Sequence, residues 1–398
     1  KVLTPPYEKP RRRHAVPVRR LSACANAGTN SSTQNNVKVT ISSPIAATGA
    51  IEIYGADVAA NGNLTTSTAS VLLLKGTGNV SIGAGVSATR RAITTAGGPI
   101  TLWSNADASG LGAVSINNYV DVSSGAGAIL IAGSATSSES SPTGYATAGT
   151  GDWGVAIGSS AVATDSVKLT TTSGDITVRG KIQSTNGIGI GVAVVSGANI
   201  TSTTGAISID ATSYQPTGTT QGHATYLNLS GGYTTTITTG ATAKTAISIS
   251  GVVTSTATGS STNAYGVIAW AAAPGGLNIK ATGTDGDINI SGVAATNTTD
   301  ALALNATSIY ATSGDITLNA GSQRVAFGQQ GANIIGGAVS AANHTGAVNI
   351  CAGNVAFSSG STQTIRTSGA LVIEPCSGSF TQAQVWSSAD VTMAAGSV

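Results

Sequence analysis

Three carboxylates hold the same place in a recurring phrase. They are Asp175 in Gly174-Asp175-Ile176-Thr177-Val178, Asp287 in Gly286-Asp287-Ile288-Asn289-Ile290 and Asp315 in Gly314-Asp315-Ile316-Thr317-Leu318. Repeated acids can form a calcium ladder or supply acid–base groups. A catalytic group need not recur, however. Asp285 and Asp287, the densest acidic pair, also lack the spacing of an EF-hand or a calcium-binding nonapeptide. The simpler reading is that each Asp sits in a turn and accepts hydrogen bonds from nearby backbone N–H groups. Glycoside cleavage needs two carboxylates converging on one cleft. The acids here are scattered without a local cluster, so no residue is assigned to catalysis, although residues distant in sequence could still meet.

The remaining reactive side chains are few. His14, His223 and His344 neighbour neither a cysteine nor one another, so no metal site is expected, and no cofactor-binding residue is assigned. His223, in a stretch with Tyr214 and Tyr226, reads as a solvated loop histidine. Three cysteines are too few for a disulfide framework. Cys351 and Cys376 each sit beside a copy of the phrase and could bridge, stabilising the fold by roughly 3 kcal/mol; a pair of buried free thiols is the other reading. Cys24 has no evident partner. The tryptophans are Trp103, Trp153, Trp270 and Trp386. The segment from Gly133 to Trp153 shows no clear strand and is expected to protrude. Its Tyr145 and Trp153 are candidate exposed loop aromatics, able to stack on sugar rings or to cover an apolar edge.

The phrase itself names the elements that carry these residues. Looser copies occur at Gly49, Gly78, Gly98, Gly112, Gly127, Gly205, Gly346 and Gly369. Each is a turn followed by apolar–polar–apolar alternation, which places the apolar side chains on one face of a short strand. A repeated turn-and-strand unit implies a stacked array. Long intervals such as Ile176 to Ile207, Ile247 to Leu277, Ile288 to Ile316 and Ile316 to Val348 are about 28 to 32 residues and are read as whole coils. Shorter ones in the N-terminal third, such as Ile100 to Val114, are read as successive sheets of one coil. Between Asp287 and Leu318 the pattern gives strands at 287–290, 301–304 and 308–310 before the next phrase begins. Three strands per circuit predict an all-β, elongated, right-handed parallel β-helix with three sides. Coils of roughly 20 to 30 residues would give about 12 to 16 laps and a rod of roughly 60–75 Å. Glycine at the corners is expected to supply positive φ. An antiparallel sandwich would need hairpin turns such as Asn-Gly between most strands, and these are rare here.

Composition agrees. Of 398 residues only 9% are charged and 4% aromatic, which suits a narrow interior of small side chains. A mean hydropathy of +0.20 with regular Ile, Val and Leu argues against disorder. The net charge of +2 is uneven. Lys1, Lys9, Arg11, Arg12, Arg13, Arg19 and Arg20 face only Glu8 in the N-terminal segment, so the rest is weakly acidic and a nucleic-acid groove is not expected. Residues 1–30, rich in Pro and Arg, are expected to be an irregular tail or linker, and 31–398 the array. The longest near-apolar run, Gly187 to Val195, is too short to span a membrane. The absence of an initial Met, and strand-like alternation up to Val391 and Met393, suggest a piece of a longer chain.

Thr172-Ser173-Gly174-Asp175-Ile176-Thr177-Val178, Thr312-Ser313-Gly314-Asp315-Ile316-Thr317-Leu318-Asn319 and Gly97-Gly98-Pro99-Ile100-Thr101-Leu102-Trp103 resemble the repeats of filamentous-haemagglutinin-like bacterial adhesins, as does Ser368-Gly369-Ala370-Leu371-Val372-Ile373-Glu374-Pro375. The resemblance covers roughly residues 37–398. It implies a secreted exoprotein at the outer surface of a Gram-negative bacterium, exported through an outer-membrane transporter by two-partner secretion. The function expected is that of an adhesin shaft which presents binding surface to a receptor, a glycan or extracellular matrix. A β-helical polysaccharide-degrading enzyme and a passive spacer of the cell surface are the alternatives.

Overall fold

A computed structural model describes residues 21–24, 37–83, 89–149, 152–159, 166–183, 189–215, 222–229, 232–255, 264–270, 275–295, 300–328, 331–337, 344–358, 363–380 and 392–393. Among these every regular element is a β-strand. The strands fall into three sheets of 13, 11 and 12 strands, and within each sheet neighbours come from successive circuits. All pairings between strands are parallel, as in Ile176 on Ile207 and Ile207 on Ile247. The chain therefore visits the first, second and third sheets in turn and stacks each strand on the strand one lap earlier. This is the three-sided parallel β-helix predicted from the phrase. One circuit runs Ile288–Val293, Asp300–Leu304, Thr307–Ala311 and returns at Ile316–Asn319, as the sequence indicates.

The interior is a set of aliphatic columns. Ile100, Ile129, Ile176, Ile207, Ile247, Ile288 and Ile316 are stacked in register and wholly buried. Two residues along each strand, Leu102, Ile131, Val178, Ile209 and Ile249 form a parallel column. Burial of each such side chain contributes about 1.5–3 kcal/mol. Between them Thr101, Leu130, Thr177 and Ser208 point outward and remain partly exposed.

Three sequence expectations are revised. The long interval from Ile247 to Leu277 is not a coil: Ile247 stacks on Ile288, while Leu277 begins a strand of the third sheet. The short interval from Ile100 to Val114 does join successive sheets, as read from the sequence, so copies of the phrase fall on two sheets. Those at Gly78 and Gly112 precede strands of the second sheet, and those at Gly98, Gly174, Gly286 and Gly314 precede strands of the first. Leu21–Cys24 pairs in parallel with Ile51–Tyr54, so the first sheet takes in part of the segment assigned to an irregular tail; residues 1–20 and 25–36 lie outside the described residues. The segment from Gly133 to Trp153 contains a strand, Ala146–Ala148, which pairs with the outer half of Ile176–Gln183.

The phrase glycine is needed for closeness rather than for positive φ. Gly174, Gly205, Gly314 and Gly346 are not among the residues with φ in the left-handed region, which at the corners falls on others such as Gly97 (φ 105) and Gly125 (φ 61). A Cβ on Gly174 would instead meet the carbonyl of Gly127, and one on Gly314 that of Gly286, in both cases under 3.0 Å. The corners of successive laps thus touch backbone to backbone. Buried hydroxyls line this glycine column: Thr171 and Ser202 donate to the Gly174 carbonyl (2.6 and 3.2 Å), Thr239 to that of Gly205 (2.5 Å) and Thr367 to that of Gly346 (2.5 Å).

This packing makes a direct prediction. Gly174→Ala forces apart two laps and should cost about 1–3 kcal/mol, read as a lowered urea midpoint. Gly110→Ala, where a Cβ meets nothing within 4 Å, should leave the midpoint unchanged. Equal midpoints for the two variants would show that the column tolerates a side chain.

Candidate binding groove

The repeated aspartates have a structural partner, but it lies one lap away rather than in their own turn. Asp175 Oδ1 accepts the backbone N–H of Ala206, Asp287 Oδ1 that of Asp315, and Asp315 Oδ1 that of Ala347, each at 2.8 Å. The second sheet has the same device at its entry corner. Asp57 Oδ1 accepts the N–H of Asn79 (2.7 Å) and Asn79 Oδ1 that of Ala113 (2.9 Å). These carboxylates and amides fasten corners together. Among the described residues no group of three or more His, Cys, Asp or Glu side chains could hold a metal ion.

The second sheet carries an open concavity. Its outward row runs Ala59, Ser81, Ser115, Ala156 and Ala193 in unbroken register. Alternation would leave such a row in solvent, yet Ala59 and Ala156 are each 7% exposed and Ala193 is fully covered. The first four of these small residues floor an open groove of about 570 Å³ that runs along the axis. Its rim is the entry corner: Lys38, Asp57, Asn79 and Ala113, closed at one end by Asp152 and Trp153. Asp57 and Asp152, almost a hundred positions apart, thus line one groove, the kind of meeting that local spacing does not reveal.

Trp153 and Tyr145 take different roles. Trp153 opens the strand Trp153–Ile157, half-buried, and lines this groove. Tyr145 is half-buried immediately before Ala146–Ala148 and borders a second hollow of about 450 Å³ with Lys181, Gln183 and Asn105. Its hydroxyl donates to Asp210 Oδ2 at 2.7 Å, and Ser250 donates to the other oxygen of Asp210 at 2.7 Å. Burial, and then this bond to a carboxylate, push the Tyr145 pKa up to about 12. Tyr145 is therefore a pin that holds the 134–148 excursion against the first sheet, not a free loop aromatic. The same excursion covers Trp103, whose Nε1 donates to Ser134 Oγ (2.8 Å) and whose ring lies 3.6 Å from the Lys75 ammonium.

The histidine reading is also revised. His223 lies within the strand Gly222–Leu229 and is 4% exposed. It stacks on Tyr265 (5.3 Å between centroids), meets Tyr226 edge-on (5.1 Å), and its Nδ1 accepts the Tyr265 N–H at 3.3 Å. Burial lowers its pKa to about 4. His344 is fully buried, with Nδ1 2.7 Å from the Ala311 carbonyl. His14 and Trp386 lie outside the described residues. Cys351 and Cys376 are joined by a disulfide with Cα atoms 5.1 Å apart. Cys24 lies opposite Tyr54. The hydroxyl column does leave a sequence signal, a Ser or Thr three positions before the phrase glycine, as in Thr171 and Gly174 or Ser202 and Gly205.

No family model, no curated protein and no solved structure matches this chain.

Two predictions follow from this geometry. Asp315→Ala leaves the Ala347 N–H unpaired at a half-buried corner and should cost about 1–3 kcal/mol, whereas Asp315→Asn keeps an acceptor and should cost far less. Calcium should raise the melting temperature of neither variant nor parent; a calcium-dependent rise confined to the parent would restore the cation ladder. The second concerns acid. Below pH ~6.5 the unfolded chain protonates His223 while the folded chain, with its pKa near 4, does not. Stability contributed by the neutral ring is complete above pH ~6.5 and is lost as the pH falls toward ~4, by about 3 kcal/mol in all. The groups facing the ring are Tyr226 and Tyr265, with Asp300 and Arg324 acting on Tyr265. Urea midpoints of the parent should therefore fall more steeply than those of His223→Phe between pH 7 and pH 4; parallel curves would contradict a neutral buried histidine.

Proposed function

We propose that this chain is the shaft of a secreted adhesin of the filamentous-haemagglutinin type, displayed at the outer surface of a Gram-negative bacterium. Its role is to extend and present binding surface for attachment to host, substratum or neighbouring cell. The observation that carries the reading is the stacking of three sheets along one axis, with nearly all large aliphatic side chains of the described residues inside. Such a body is a rigid spacer by construction: each lap rests only on its neighbours, and length is added without changing cross-section. The Thr, Ser and Asn rows on its outside offer many similar polar contacts, which gain strength through multivalency when the rod meets a repeating surface. No helix among the described residues is long and apolar enough to cross a membrane. Export through an outer-membrane transporter belongs to the same proposal and rests on the phrase resemblance alone.

One observation favours a second reading. Asp57 and Asp152 share a groove, as a β-helical polysaccharide-degrading enzyme requires of its carboxylates. Asp57 has one oxygen committed to the Asn79 N–H, which suits a fixed rim more than a group that must exchange a proton.

Beads coated with the purified chain should adhere to mammalian cells or to bacterial lawns above bare beads, and soluble polysaccharides incubated with it should keep their chain length. A fall in chain length, abolished by Asp152→Ala, would replace the adhesin with an enzyme. Beads that never adhere would leave a passive spacer.

A further inference from the structure

We infer that the groove on the second sheet binds an extended, uncharged polysaccharide laid along the rod axis. This names a ligand class for the attachment reading above and rests on that reading for its biological setting.

The shape comes first. The groove crosses five consecutive laps, from the strand after Lys38 to the strand that Trp153 opens. At a strand spacing of about 4.8 Å this is roughly 19 Å of trough. A compact metabolite would leave most of it empty, whereas a polymer chain fills it. Because Ala59, Ser81, Ser115 and Ala156 are all small, a flat ring can approach the sheet closely at every lap.

The chemistry of the walls selects the polymer. The strands of the floor are already paired lap to lap, so a peptide added as a further strand finds no open ladder. Recognition must come from side chains. Those present are hydroxyls at Ser81 and Ser115, an amide at Asn79, carboxylates at Asp57 and Asp152 and the ammonium of Lys38. Such a mixture of donors and acceptors suits hydroxyl groups, which both donate and accept. One cation against two carboxylates disfavours a sulfated or uronate polymer, which needs a surplus of positive charge. Trp153, which lines the groove, supplies apolar aromatic surface on which the C–H side of a sugar ring can rest.

The test uses the full chain in affinity gel electrophoresis against soluble β-glucan, xylan, mannan and dextran, with heparin as the polyanionic counterpart. At least one neutral polymer should retard the parent. Trp153→Ala, which removes the stacking face, and Ser115→Trp, which fills the floor, should each weaken that retardation ten-fold or more while keeping the parent's circular dichroism. The inference is overturned if no neutral polymer retards the chain, if heparin retards it more than every neutral polymer, or if both folded variants bind as the parent does. Polymer binding without bead attachment to cells would sink the attachment reading and leave this one standing; attachment without polymer binding would do the reverse.

Discussion

The whole body depends on one contact: the backbone of each lap hydrogen-bonds to the backbone of the next at strand spacing, on three sides at once. That spacing leaves room for flat, self-complementary rows of side chains and for little else. Inside, aliphatic residues stack on aliphatic residues of similar size, as at Ile207, Ile247 and Ile288. At the corner before the first sheet, laps approach so closely that glycine is required at Gly174, Gly205 and Gly314. Polar groups trapped beside that corner are satisfied along the axis as well, by hydroxyls on glycine carbonyls and by carboxylates on N–H groups of the following lap. The same axial logic thus governs apolar and polar parts alike.

This explains what could be learned from the sequence. A repeating lap imposes a repeating phrase, so the number of sheets, the strand positions in the 287–318 circuit and the parallel stacking were all legible. The phrase was less informative about which sheet a copy belongs to, because glycine before either sheet can be needed for close backbone approach; Gly112 and Gly174 look alike for that reason. Interval length misled at Ile247, whose partner in the next lap is Ile288, while Leu277 merely falls at a familiar distance. Glycine does supply positive φ at corners such as Gly97 and Gly125, but the phrase glycines serve closeness instead, and the two causes, torsional freedom and closeness, leave the same letter in the sequence.

The site residues were harder, and the reason is physical. Partners in a solenoid are neighbours across laps, so a contact such as Tyr145 with Asp210 or Thr171 with Ser202 leaves no local motif. His223 looked solvated because its stretch lacks the apolar alternation of a core strand. It is buried where the first and second sheets run on beyond their shared corner, Gly251 coming so close to Gly266 that neither could carry a Cβ without displacement, and there Tyr226 and Tyr265 close around it. Trp153 could be recognised as an aromatic near a break in the pattern, but only the register of Ala59, Ser81, Ser115 and Ala156 shows that it stands at the end of a trough.

A scaffold of this kind also dictates how recognition can be built on it. The pitch is fixed by the backbone, so binding groups can be placed only at intervals of one strand spacing along the axis, each contributed by a different lap. A ligand that repeats along its own length can meet several of them; a ligand that does not can meet only one or two. Each lap adds a small contact, and loss of any one rim residue such as Asn79 removes little, while loss of a residue that no other lap duplicates, such as Trp153, removes much. Specificity in such a groove would therefore come from side chains that a single lap supplies, and affinity from the row itself. The 134–148 excursion, pinned by Tyr145, lies in the chain between the strands that carry Ser115 and Ala156, and the lap that follows it brings Trp153 to the groove, a side chain that no other lap of the groove repeats.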